Sequence, residues 1–158
     1  MSEPASPLTG GSTLTQGLPP ALAEIVDDFN ALSERDRLQL LLEFSEGLPA
    51  LPERYAQHPE LMEPVPECQS PVFLQTEVDD DATVHLHFSA PREAPTTRGF
   101  AGILREGLDG LPAADLLATP DDISSRLGLE RAVSPLRLRG MAGMLGRIKR
   151  QVREKTTA

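Results

Sequence analysis

The chain carries one thiol, Cys68, in the run Pro66-Glu67-Cys68-Gln69-Ser70-Pro71-Val72-Phe73-Leu74. A single cysteine cannot close an internal disulfide. Nor can it alone fill a zinc or iron–sulfur site, which takes three or four ligands. Its available chemistry is that of one sulfur, as a nucleophile or as the carrier of a transferable group. Residues 59–67, rich in proline and glutamate, read as an exposed loop, and the residues after Cys68 read as a strand. The thiol therefore stands at a loop-to-strand junction. A cysteine buried as a small hydrophobe is the commoner case, but the neighbours Glu67, Gln69 and Ser70 are polar. An unperturbed thiol with a pKa of about 8.5 is only slightly ionised at neutral pH, and the Glu67 carboxylate raises that pKa further. Nothing local activates Cys68, which speaks against a self-sufficient hydrolase. Exchange with another sulfur, where an attacking thiol works best with a pKa near ambient pH, fits better.

Two other groups could carry chemistry. His85 and His87 share one face of a strand, and His58 is the only further histidine. A metal there would need Cys68 or carboxylates as well, so they read as polar residues on the wet face of a half-exposed strand, and no metal or cofactor is expected. Residues 1–130 hold 7 Lys and Arg against 23 Asp and Glu, a net of −16, whereas residues 131–158 hold 8 against 1, a net of +7. The acidic body argues against a nucleic-acid surface. Arg147, Lys149, Arg150, Arg153 and Lys155 read as helix-dipole complementation on a solvated face. Arg137 and Arg139 fall in a first helical turn, where the dipole disfavours cations, and call for a carboxylate or thiolate nearby.

The elements that must position Cys68 follow from periodicity. Residues 1–18 hold few large apolar groups and read as a disordered tail, with a single domain over 19–155. Pro19-Pro20 opens a helix with Leu22, Ile25, Val26, Phe29 and Leu32 on one face. Ser33 caps a second helix with Leu38, Leu41, Leu42 and Leu48 facing inward, and the tight connection predicts an antiparallel pair. The period then changes to two: Val72, Leu74 and Thr76, a turn at Asp79-Asp80-Asp81, and Val84, Leu86 and Phe88 predict a hairpin. Helical spacing returns at Phe100, Ile103, Leu104 and Leu108. Two short helices follow, over 112–117 and from a Thr119-Pro120 cap to Gly128. The last helix starts at Ser134-Pro135 with the stripe Leu138, Met141, Leu145, Ile148 and Val152. Gly140, Gly143 and Gly146 each weaken it by about 1 kcal/mol relative to alanine, so something must approach closely there. The expected class is α+β, a small antiparallel sheet covered on one face by helices. No apolar run approaches the roughly 20 residues of a membrane span. A single cysteine without an export signal points to a reducing cytoplasm.

These residues resemble the SufE family of sulfur acceptors. The family's V-x-G-C-Q-S-x-V-W-L stands as Val65 to Leu74, its L-G-x-x-L-P as Leu42 to Pro49, and its acidic-A-x-x-x-[KR]-G turn as Glu93 to Gly99. Its S-P-S-R-x-x-G-L helix stands as Ser134 to Met141. Glu67 replaces a glycine, Phe73 a tryptophan and Leu136 a serine, while Arg139 stands where a small polar residue is common. The resemblance implies a SufE/IscU-like fold. It implies a persulfide carrier that takes sulfur onto Cys68 from a pyridoxal-phosphate cysteine desulfurase of the SufS type and stimulates its turnover. The carrier then passes the sulfur to a SufBCD-type scaffold, with no cofactor or metal of its own. Glu67, Gln69, Ser70, Glu93 and Arg137 become candidates for partner contact or loop positioning, with Cys68 shielded in the free protein and the chain a monomer or weak homodimer. IscU-type scaffolds hold a cluster on three cysteines, which excludes that role here. The competing reading is an interaction module with an incidental thiol.

Overall fold

The three-stranded sheet is built around one hairpin, as the alternation predicts. The computed structural model describes residues 13–156, in the order α1 (Pro20–Asn30), α2 (Glu34–Glu46), α3 (Glu53–Ala56), β1 (Glu63–Pro64), β2 (Phe73–Val78), β3 (Val84–Ser89), α4 (Pro95–Leu108), α5 (Ala113–Leu117), α6 (Ile123–Arg126) and α7 (Pro135–Thr156). The sheet runs β1-β2-β3, all antiparallel, with Leu74 opposite Phe88 and Thr76 opposite Leu86. The two-residue β1 was not anticipated. It pairs Glu63 with Leu74 and Pro64 with Phe73, and so brief a strand containing proline has no period to read.

Leu74, Thr76, Val84, Leu86 and Phe88 are buried on one face, beneath α4 and α7. The α7 stripe of Met141, Leu145, Ile148 and Val152 is buried as its spacing predicts, and Leu138 packs partly against the core. Side chains of α7 also serve the backbone of β2. The Thr76 N–H donates to Gln151 Oε1 at 2.7 Å, and Lys155 Nζ donates to the Thr76 carbonyl. At the β3 edge of the sheet, Asp109 Oδ1 accepts the Leu86 N–H at 2.7 Å.

The expected α1–α2 pair is corrected. The two helices meet through Phe29 and Phe44, whose ring centroids lie 5.9 Å apart, but most of each packs on α4. A side chain at Gly102 would collide with the Phe44 carbonyl, so α2 crosses α4 backbone to backbone. That crossing uses the Leu41–Ser45 row, and it leaves Leu38 and Leu42 exposed where the sequence predicts them inward. Ser33 caps α2 as predicted, accepting the Asp36 N–H at 3.3 Å. Thr119 does not cap α6. Its Oγ1 bonds back to the Asp115 carbonyl at 3.1 Å, and α6 begins later, at Ile123.

Arg98 of α4 is buried and joins three segments, donating to the carbonyls of Ser45 (2.9 Å), Ala90 (2.5 Å) and Leu48 (3.2 Å). The Ser45 carbonyl stands at the end of α2 and also accepts the Leu48 N–H at 3.4 Å, so Arg98 adds a second donor there. Of the expected tail, residues 1–12 lie outside the described residues, but 13–18 are folded onto the body. Thr15 is buried, and Arg126 donates to the Gln16 carbonyl at 2.7 Å. Long-range bonds to backbone carbonyls leave no compositional trace. No helix of the described residues is long and apolar enough to cross a membrane.

Candidate functional site

Cys68 lies in the loop joining β1 to β2. The Val65 N–H donates to the Val72 carbonyl at 2.9 Å and closes the neck of this loop, with both valines buried. Pro66 opens a 3-10 turn over Pro66–Cys68, where its missing N–H costs nothing. The Cys68 N–H donates to the Val65 carbonyl at 3.1 Å, and the Gln69 N–H to the Pro66 carbonyl at 3.2 Å. Gln69 then takes a left-handed backbone, φ 59°, a conformation a non-glycine residue adopts at some cost. The turn is tight enough that the Cys68 side chain faces α7 rather than solvent.

The thiol is 8% exposed, and its Sγ donates to the Gly140 carbonyl at 3.6 Å. The two glycines of α7 explain how the loop comes so near. A Cβ on Gly140 would stand 3.2 Å from Cys68 Sγ, and one on Gly143 would stand 2.9 Å from Cβ, Cγ and Cδ of Glu67. A Cβ on Gly146 would meet nothing, so the close approach expected from the glycine spacing holds for the first two only. The loop expected to be exposed over 59–67 is exposed only in part, since Met62 and Val65 are core residues.

Glu67 runs across Gly143 to Arg147, which grips it with both arms: Nε to Oε1 at 3.1 Å and Nη2 to Oε2 at 3.0 Å. The remaining Arg147 nitrogen, Nη1, donates to Glu63 Oε2 of β1 at 2.7 Å. Glu63 is also held by Arg150 and by Gln151 Nε2 at 2.8 Å. This overturns the solvated-face reading of Arg147, Lys149, Arg150 and Lys155. Arg147 and Arg150 bind carboxylates, Lys149 donates to Asp121 at 2.7 Å and to the Thr119 carbonyl, and Lys155 reaches β2. Arg147 lies 80 residues from Glu67, and its helix position alone reads as a solvated cation rather than as part of the site. The available signal was Glu67 itself, an added charge in a tight loop that needs a counter-ion.

Burial pushes the Cys68 thiol up to about 11; the Glu67 carboxylate adds to the rise and Arg147 opposes it. The thiol is thus held neutral at physiological pH. On Glu63, burial pushes the carboxyl upward, but the bonds from Arg150, Gln151 and Arg147 outweigh it and hold the group down at about 2.

On the other side of Cys68 lies a hollow of about 280 Å³. Cys68, Gln69, Ser70, Glu93, Thr97 and Arg137 contribute to its wall. Five of the six residues singled out in the sequence therefore share one cavity, and the sixth, Glu67, backs the cysteine on the α7 side. The side chains of Gln69 and Ser70 make no hydrogen bond to the described residues, and they shape the loop through their backbones. The Ser70 carbonyl accepts the Val72 N–H at 2.7 Å. Ser134 caps α7 through the Arg137 N–H at 3.3 Å, while the Arg137 guanidinium stands at the hollow without an ion pair among the described residues.

The histidines lie elsewhere. His85 pairs with Asp79 at 2.7 Å and His87 with Glu77 at 3.1 Å. His87 is less wet than expected, because the Tyr55 ring covers it with centroids 5.1 Å apart. Among the described residues no group of three or more His, Cys, Asp and Glu side chains could hold a metal ion.

A cysteine loop folded onto a closing helix, over a small antiparallel sheet, is the arrangement the motifs imply, and comparison with known proteins agrees. The chain belongs to the SufE family: the family model, described as an Fe-S metabolism associated domain, matches residues 23–152. It is 58% identical over 142 residues to a SufE-like protein of Mycobacterium tuberculosis, covering 90% of this chain and 98% of that one. It is 30% identical over 129 residues to SufE-like protein 1, chloroplastic/mitochondrial, of Arabidopsis thaliana, covering 81% of this chain and 33% of that one. The solution structure of a hypothetical protein from Thermus thermophilus superposes with a TM-score of 0.78 at 38% identity, covering 89% of this chain and 99% of that one.

Proposed function

We propose that the protein is a persulfide carrier that accepts sulfur on Cys68 from a pyridoxal-phosphate cysteine desulfurase. One observation carries the reading. In a member of a family associated with iron–sulfur metabolism, the single thiol is tucked under a pinned loop beside a polar hollow. Burial holds this thiol protonated at neutral pH. Such a thiol is nearly inert alone and needs a partner to uncover and deprotonate it. This suits a relay, since a free reactive sulfur is readily oxidised.

The transfer is an exchange between sulfurs. Cys68 thiolate attacks the outer sulfur of a persulfide on the desulfurase. The Cys68 S–S bond forms as the donor S–S bond breaks, the desulfurase cysteine leaves as thiolate, and no electrons are gained or lost. Arg137 and Glu93, at the rim of the hollow, are the side chains that meet the donor's loop. In this reading Arg137 favours the thiolate once the sulfur turns toward the cavity. Removing the persulfide frees the desulfurase for another turnover, and the carrier then delivers its sulfur to a SufBCD-type assembly scaffold.

The test is intact mass after incubation with a desulfurase, its cofactor and free cysteine, without reductant. The expected result is a gain of one sulfur atom, lost on adding dithiothreitol and absent in Cys68→Ser. No gain, with Cys68 still a free thiol, rejects the carrier and leaves an interaction module.

A further inference from the structure

The ionic fastening of the cysteine loop has two unequal halves. Glu63, on β1, is held by Arg147, Arg150 and Gln151 together, so this half stays in place with or without the loop. Glu67, one residue before the cysteine, has Arg147 as its only ion-pair partner among the described residues. Its carboxylate is 42% exposed, so water and salt reach it. Arg147 is therefore a preset fork, aimed by Glu63 at the place where Glu67 arrives. Gly143 completes the arrangement, because it lets the Glu67 methylenes lie flat on the helix in reach of that fork. Besides apolar packing in the core, the remaining hold of α7 on the Cys68 side chain among the described residues is the weak S–H bond to the Gly140 carbonyl.

We propose that the Glu67–Arg147 pair is a salt-sensitive latch that keeps the Cys68 loop folded against α7 and so sets how often the thiol is open to a sulfur donor. Its purpose rests on the carrier reading, but the latch itself exists in the free protein. Arg147 and Glu67 are positioning residues, acting on the sulfur through the loop. When the latch opens, Cys68 leaves the Gly140 carbonyl and the burial that keeps its proton on. An exposed two-armed pair of this kind is worth enough to change the open population by roughly twofold to fivefold.

The experiment is the rate of Cys68 labelling by iodoacetamide in the full chain, with no desulfurase present, from low salt to about 1 M NaCl. Arg147→Gln is the decisive variant, since the two possible effects have opposite signs. By charge alone, loss of the cation disfavours thiolate and slows labelling. By the latch, the loop is freed and labelling accelerates. Gly143→Ala keeps both charges, displaces Glu67 and adds helix propensity, so it opens the latch without unfolding the helix. The expected outcome is labelling roughly twofold to fivefold faster in both variants, with the rise of the wild-type rate in salt abolished and with Arg147→Lys restoring part of the protection. Labelling that is slower or unchanged in Arg147→Gln, or unchanged in Gly143→Ala, overturns the latch. A chain that labels as expected yet gains no sulfur from a desulfurase keeps the latch and loses the carrier.

Discussion

Among the described residues two glutamates, Glu77 and Glu67, are gripped by arginine forks, and they serve opposite ends. Glu77, on the outer face of the sheet, takes both arms of Arg54, at 2.8 to 3.2 Å, together with the Tyr55 hydroxyl at 2.6 Å and His87 Nε2 at 3.1 Å. Its partners come from α3 and β3, and Tyr55 and His87 also pack ring against ring. Glu67 is gripped by Arg147 and lies over a glycine. A carboxylate with several independent partners stays bound when one lets go, whereas a carboxylate with one partner is released whole. The first arrangement fastens α3 to the sheet, and the second can be opened.

Breaking the comparison from the Glu77 side should have the largest effect. Glu77→Ala removes the shared acceptor of Arg54, Tyr55 and His87, and is expected to cost about 2–3 kcal/mol in urea unfolding. Cys68 labelling should not change. Acid separates the regions next. Burial raises Glu77, but Tyr55, Arg54 and His87 outweigh it and hold the group at about 2, against an ordinary value of 4.5. A depressed carboxyl contributes stability that is present above the unfolded value and lost as pH falls through the folded one. The urea midpoint should therefore drop between about pH 4.5 and 2, less steeply in Glu77→Gln than in wild type. At Cys68 the sign is reversed. A thiol raised from 9.0 to about 11 favours the fold below 9.0, and that contribution disappears as pH rises toward 11. Wild type should lose more stability over that range than Cys68→Ala. The smallest effect sharpens the contrast: Glu67→Gln should change stability by less than about 1 kcal/mol, while the loop it releases reacts faster.

Much of this organisation is legible in residue order. The α1, α4 and α7 stripes, the hairpin and the Ser33 and Ser134 caps follow from local period or from capping motifs in sequence. What escaped reading is non-local. Arg147 meets Glu67 across the fold, and a charge on a polar helix face looks the same whether it meets water or a carboxylate. Leu38 and Leu42 were misplaced because the row that faces α4 is chosen by the backbone crossing at Gly102, which lies in another helix. Residues 13–18 fold because Arg126 supplies donors, which apolar content cannot reveal.

Arg98 has a consequence for the order in which the molecule comes apart. Its buried charge is balanced by three carbonyl dipoles and, among the described residues, no carboxylate, so the joint it makes between α2, α4 and the exit from β3 has no proton to gain. An arginine does not titrate in this range. Acid that unties Glu63 and Glu77 leaves this seam sewn. The helical layer is then the last cooperative unit to dissolve, and amide protection at low pH should persist in α2 and α4 after α3 and β1 have lost theirs.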